Sequence, residues 1–150
     1  MKVYVASSWR CRWQPEVVEK LRAVGHEVYD FKNPPNGTGF GWSQTDEGRA
    51  ETIGSYLRAI QSLRAAEGFA SDMHALNEAE ATVLVLPCGR SAHLELGYAV
   101  GRGQKTIVLL HPDKFEPELM YLMCDHICED IDEVIRCLEI PPLRKRGATP

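Results

Sequence analysis

The chain has 150 residues, a formal net charge of −4 and an ordinary composition, 44% hydrophobic and 25% charged. These values fit one folded domain with a sizeable core and exclude collagen, a disulfide scaffold and a disordered chain. Basic residues mostly alternate with acids, which argues against a nucleic-acid polymer as the main partner.

The elements alternate in type along the chain. "KVYVA" (Lys2 to Ala6) is a short β-rich run. "PEVVEKLRAVG" (Pro15 to Gly25) has helical spacing at Val17, Val18, Leu21 and Val24, with Pro15 near its start and Gly25 as its stop. "HEVYDF" (His26 to Phe31) reads as a second strand, and "NPPNGTGFGWS" (Asn33 to Ser43) as a loop rich in proline and glycine. From Asp46 to about Glu80 the chain is polar with helical periodicity, read as two helices broken near Gly68. "ATVLVLP" (Ala81 to Pro87) and "KTIVLLH" (Lys105 to His111) are nearly all apolar, as strands covered on both faces are. Between them, Ser91 to about Arg102 reads as helix with Ser91 as N-cap. "DHIC" (Asp125 to Cys128) reads as an edge strand and "DIDEVIRCLE" (Asp130 to Glu139) as a closing helix.

Residues 1–140 therefore read as one α/β domain of three layers, flavodoxin-like or Rossmann-like. It would have about five strands in a mostly parallel sheet and helices on both faces. Residues 141–150 read as a polar, basic tail. No metal and no cofactor is expected: the five cysteines lack CxxC spacing and read as thiols. The first apolar run, "VYVA", is too short for a signal peptide, and no stretch reaches the length of a membrane span. The expected compartment is the cytosol, with no membrane partner.

A sheet of this kind binds ligands beyond the carboxyl ends of its strands. Three segments would meet there: "SSWR" after the first strand, the Gly-rich loop after the second, and "CGRSAHLE" after the third. The last holds one acid, Glu95, between Leu94 and Leu96, read as lying in the first turn or so of a helix whose dipole favours negative charge there. Either it is a favourable first-turn acid on a solvated face, or it carries chemistry. The small residues Gly97, Ala99 and Gly101 after it let that helix pack closely, which weakens the first reading. Asp72 reads as an N-cap of "SDMHALNEAE", as a functional acid, or as both. Tyr98 shares the helical face of Glu95, either holding it or packing. Phe40 and Trp42 in "GFGW" would stack on a base or plug a core, and Asp30 at a strand end would hydrogen-bond a sugar or base.

The stretch "HLELGYAVGRGQKTIVLL" resembles the signature of the nucleoside 2-deoxyribosyltransferase family. "MKVYVASSW" resembles that family's first strand and loop, and "SDMHALNEAEATVLVLP" its helix with an aspartate ahead of the third strand. The resemblance implies that Glu95 is the nucleophile, forming a covalent glycosyl intermediate on a nucleoside, and that Asp72 protonates or hydrogen-bonds the leaving base. It also puts Tyr4 near the sugar and implies a homodimer or higher oligomer. The sequence departs from the transferases at Gly89, where they often carry an aspartate. It departs again at Glu118 in "PELM", where they carry an asparagine reaching the neighbouring subunit. Gly89, Arg90 and Ser91, faced by Ser7, Ser8 and Arg10, resemble instead the phosphate-binding loop of the branch that hydrolyses nucleoside 5'-monophosphates. His93 belongs to neither pattern and is either a surface residue or a ligand contact. The expectation is thus an N-glycosidase acting on a nucleoside or nucleoside 5'-monophosphate, with water as acceptor. The alternatives are transfer of deoxyribose between bases and a non-catalytic nucleotide-binding module.

Overall fold

The central strands form where β-branched and small apolar residues cluster, and strands and helices alternate along most of the chain. In the computed structural model the order is β1 (Lys2–Ala6), α1 (Gln14–Ala23), β2 (Glu27–Asp30), α2 (Ile53–Ala59), α3 (Leu63–Glu78), β3 (Ala81–Val85), α4 (Arg90–Gly101), β4 (Lys105–Leu109), β5 (His126–Cys128) and α5 (Ile131–Glu139). The structure describes residues 1–35, 37, 39–114 and 116–141, so all but the first residue of the basic tail lies outside the described residues. The strands lie in the order β2-β1-β3-β4-β5. The β1–β3, β3–β4 and β4–β5 pairings are parallel, with Val3 opposite Ala81, Ala81 opposite Lys105 and Ile107 opposite His126. The expected α/β class and parallel sheet are therefore present, and the strand order is that of a flavodoxin-like sheet.

The residues group into two compact units: Met1–Val28 together with the chain from Ala79 onward, and Tyr29–Glu78. In the first unit the core follows from strand alternation. Val3, Val5, Val83, Val85, Ile107 and Leu109 point to one face and pack with Val17, Val18 and Leu21 of α1 and Val134 and Leu138 of α5. The alternate positions Tyr4, Thr82, Leu84, Thr106 and Val108 are equally buried. Against that opposite face α4 packs through Ala92, Leu96 and Ala99. Helices thus cover both faces of the sheet within this unit alone. Gly25, at φ 91°, ends α1 in the left-handed conformation that glycine adopts without strain. Asp130 caps α5, its Oδ1 accepting from Glu133 N at 2.8 Å. The other end of α5 is held by the buried Lys105, whose Nζ donates to the carbonyls of Cys137, Leu138 and Ile140. Burial pushes the Lys105 ammonium below its ordinary pKa.

In Tyr29–Glu78 the expected helix break is displaced. It falls at Ile60–Ser62, where Ser62 N and Gln61 N bond three residues back and Ser62 Oγ accepts from Ala65 N at 3.2 Å. Ser62 therefore ends one helix and caps the next. Gly68 lies inside α3 and serves close approach instead: a Cβ there would stand 2.7 Å from Phe40 Cβ. Because α3 begins at Leu63, Asp72 is not an N-cap but an interior residue of a 16-residue helix. Likewise α4 begins one residue earlier than expected. Gly89 is its N-cap, Ser91 sits in its first turn, and Glu95 falls in its second turn. The helix-end field is weaker there than the sequence reading supposed. Among the described residues no helix is long and apolar enough to cross a membrane.

Candidate active site

The strand order reverses direction between β1 and β3, and a parallel sheet opens a crevice at that point. The loops leaving these two strands are stitched together. Ser7 Oγ donates to Val85 O at 2.8 Å, and Trp13 Nε1 donates to Leu86 O at 2.6 Å. Within the first loop Ser8 Oγ accepts from Arg10 N at 3.2 Å, and Ser8 O from Cys11 N at 2.9 Å. Ser7 and Ser8 are half-buried, while Arg10, Gly89, Arg90 and Ser91 are exposed. Gly89 brings no side chain to the start of α4, so the first N–H groups of that helix are left to solvent or to a ligand. The loop after β3 thus presents a helix start, a serine and an arginine, beside a loop carrying two serines and a second arginine.

Glu95 stands one turn further along α4, half-buried, after the exposed Leu94 and before the buried Leu96. Its charge is felt by Cys88 at the end of the β3 loop. Burial first, then Cys11 and Glu95, push that thiol up to about 12, so it stays protonated at neutral pH. Tyr98 is part-exposed, with the Arg102 guanidinium carbon 5.8 Å from its ring centroid. Tyr4 is fully buried in β1 and is not brought to the crevice surface.

His93 is not a lone surface histidine. Its Nδ1 lies 3.0 Å from Gly89 O and 3.5 Å from Cys88 Sγ, and its Nε2 lies 2.9 Å from Tyr121 Oη. The carbonyl partner fixes the donor on Nδ1, so Nε2 accepts from Tyr121. The His93 and Tyr121 rings also stack, with centroids 5.9 Å apart and planes within 6°. Burial, helped by the Cys88, Glu118 and Cys124 groups, pushes the Tyr121 hydroxyl up to about 12. This pair borders a cavity of about 900 Å³ between α4 and residues 116–124, lined among others by Arg90, Gly97, Lys114 and Met120.

In the second unit, Asp72 is approached by Tyr29 and Arg64. Tyr29 Oη donates to Asp72 Oδ1 at 2.8 Å and lies 3.0 Å from Ser71 Oγ. Burial raises the Asp72 pKa, and the Tyr29 hydrogen bond and the Arg64 charge oppose that rise without cancelling it. Asp30 is turned onto its own loop: Oδ1 accepts from Lys32 N at 3.1 Å and Oδ2 from Asn33 Nδ2 at 2.8 Å. Phe40 and Trp42 meet edge to face at 5.1 Å, and Trp42 meets Tyr56 at 5.5 Å. Arg64 lies over Phe40 and donates to Gly39 O and Gln44 Oε1. The Gly-rich loop is therefore pinned onto α3 through Phe40, while Trp42 keeps an exposed face. Among the described residues no three His, Cys, Asp or Glu side chains gather as a metal site needs.

Similar solved structures share this fold. A 2-deoxyribosyltransferase from Bacillus psychrosaccharolyticus superposes with a TM-score of 0.58 at 18% identity, over 95% of this chain and 99% of that one. A CMP N-glycosidase from Clostridium botulinum superposes at 0.51 and 15% identity, over 93% and 100% of the two chains. The chain has their fold. Neither family models nor curated proteins match the sequence.

Tyr29, Cys88, Trp13 and Tyr121 escaped the sequence reading. Each is joined to its partner by a bond between segments 28 to 73 residues apart or within a loop, and no local spacing marks such a bond. The one available signal was Tyr29 itself, a hydroxyl-bearing aromatic beside Asp30 at a strand's carboxyl end.

Proposed function

We propose that the chain cleaves the N-glycosidic bond of a nucleoside or nucleoside 5'-monophosphate, with Glu95 as nucleophile, Asp72 as acid and water as acceptor. The observation that carries this reading is the start of α4, where Glu95 follows by one turn a helix end bearing Arg90 and Ser91, at the β1/β3 switch point where Ser7 ties the loop that also carries Ser8 and Arg10 to Val85. Serines, arginines and free helix N–H groups suit a phosphate. A carboxylate one turn away suits the anomeric carbon of the sugar that bears it. The names of the two structural neighbours, a deoxyribosyltransferase and a CMP N-glycosidase, support the same bond as the target.

In the first step a Glu95 oxygen bonds to C1' as the C1'–N bond breaks, and the base takes the bonding pair and a proton from Asp72. In the second, water attacks C1', its proton returns to Asp72, and Glu95 leaves as carboxylate with the sugar released. Burial that favours the protonated form of Asp72 supports its role as the acid. The exposed Leu94, Leu119, Met120, Leu122 and Met123 support self-association of the chain. Sedimentation of the purified chain reads that directly.

Incubation with a panel of nucleosides and their 5'-monophosphates, with and without a free acceptor base, tests the reading. Hydrolysis without acceptor is the expected outcome, fastest on a monophosphate. Sugar transfer only in the presence of acceptor would replace water by a base. Tight binding of nucleotides with no cleavage of any would leave a binding module.

A further inference from the structure

Among the groups around Asp72, one has a geometry that selects between the two oxygens of its carboxyl. Tyr29 reaches it from β2, and its single hydroxyl proton is committed to Oδ1 at 2.8 Å. The Tyr29 oxygen is then the acceptor for Ser71 Oγ at 3.0 Å, so the order of donation runs Ser71 to Tyr29 to Asp72. A carboxyl oxygen that already accepts a strong hydrogen bond is the poorer place for a proton. Arg64, on the same helix, acts on the carboxyl through its charge and donates hydrogen bonds to Gly39 O and Gln44 Oε1.

We propose that Tyr29 is a positioning residue for Asp72, holding Oδ1 so that Oδ2 alone carries and delivers the proton. The inference rests on the reading of Asp72 as the acid. In the cleavage step the proton leaves Oδ2 for the base as the C1'–N pair moves onto the base. The Tyr29 proton stays where it is and steadies the carboxylate that forms. When water attacks, its proton returns to Oδ2. Tyr29 thus has two effects: it fixes the direction of transfer, and it keeps the half-buried carboxyl from holding its proton too firmly. Ser71 strengthens the Tyr29 hydroxyl as a donor, because a hydroxyl that accepts a hydrogen bond donates a better one.

The test is Tyr29→Phe, with Ser71→Ala as a milder second variant on the same chain of bonds. Two quantities are read: the titration midpoint of Asp72 by carboxyl-carbon NMR of the ligand-free protein, and the pH profile of kcat on whichever nucleoside 5'-monophosphate is cleaved. Removing a donor to the carboxylate disfavours the charged form, so in Tyr29→Phe the midpoint moves to higher pH and the alkaline limb of kcat moves with it. The maximal kcat falls about tenfold, while KM stays within about twofold. Ser71→Ala shifts both readouts the same way by less. A merely structural role would lower the whole profile without moving its limb. If Asp72→Asn slows cleavage but both variants leave the midpoint and the limb in place, the inference is overturned and the acid stands. If Asp72→Asn cleaves at the full rate, the acid is wrongly assigned and the inference falls with it. Circular dichroism of the variants separates either result from misfolding.

Discussion

Glu95 and Asp72 are both half-buried acids on helices, but their places in those helices and their neighbours differ. Glu95 sits one turn into α4, half-exposed, near the positive end of the helix dipole, with the small Gly97 and Ala99 close after it. Asp72 lies in the interior of α3, half-buried as Glu95 is, with Tyr29 as a donor and Arg64 as an opposing charge. A carboxyl that attacks must be charged and reachable. A carboxyl that gives up a proton must first be able to hold one. The contrast matches those two tasks and teaches that the environment, and not the residue type, separates them.

The sharpest way to break the comparison is to make the two positions equivalent by mutation. Glu95→Gln removes the nucleophile and should lower cleavage by at least about 10³-fold. Calorimetric binding of a nucleotide should survive; retained cleavage ends the proposal for Glu95. Asp72→Asn should cost less, about 10²-fold, because an acid assists the departure of the base without forming the bond to sugar. A substrate whose leaving group departs without a proton, such as a p-nitrophenyl glycoside that releases p-nitrophenolate, should recover most of that loss. The same substitution also tests the direction of the Asp72 shift. Its pKa is raised on folding, so in the window between the ordinary carboxylate value and the folded one the native state holds more protons than the unfolded state. Wild-type stability therefore falls as pH rises through that window. Asp72→Asn should abolish that slope in denaturant titrations.

Smaller effects test the frames that hold the two acids. Gly68→Ala, inside a helix, would on propensity alone gain about 1 kcal/mol. The 2.7 Å approach to Phe40 Cβ reverses the sign, and a loss of about 1–3 kcal/mol is expected in thermal unfolding. Ser7→Ala removes the hydroxyl donor to Val85 O and should cost about 1 kcal/mol, the smallest change in the series.

These frames mark where the sequence could be read and where it could not. The covered strands Ala81–Val85 and Lys105–Leu109 announce themselves as unbroken apolar runs, and Gly25 and Asp130 mark helix ends by residue type. Gly68 misleads because a glycine that breaks a helix and one that admits a neighbour are identical in sequence; only Phe40, 28 residues away, tells them apart. Asp72 misleads for a similar reason. A helix that starts at Ser62 through its hydroxyl cap leaves no local mark that distinguishes it from one starting at Ser71.

The sequence by itself determined the order of strands and helices, the covered faces of the central strands and the placing of Glu95 just past a strand that ends in a crevice. Those follow from periodicity and from the residues that start and stop helices, which act over a few positions. Only the tertiary structure decided that Tyr29 holds Asp72, that His93 is tied to Tyr121, and that Ser7 and Trp13 fasten the loop after β1 to the loop after β3. Each is a hydrogen bond between segments far apart in the chain. Such a bond exists only when the packed sheet and helices bring a donor within about 3 Å of its acceptor, and no pattern along the chain encodes that distance.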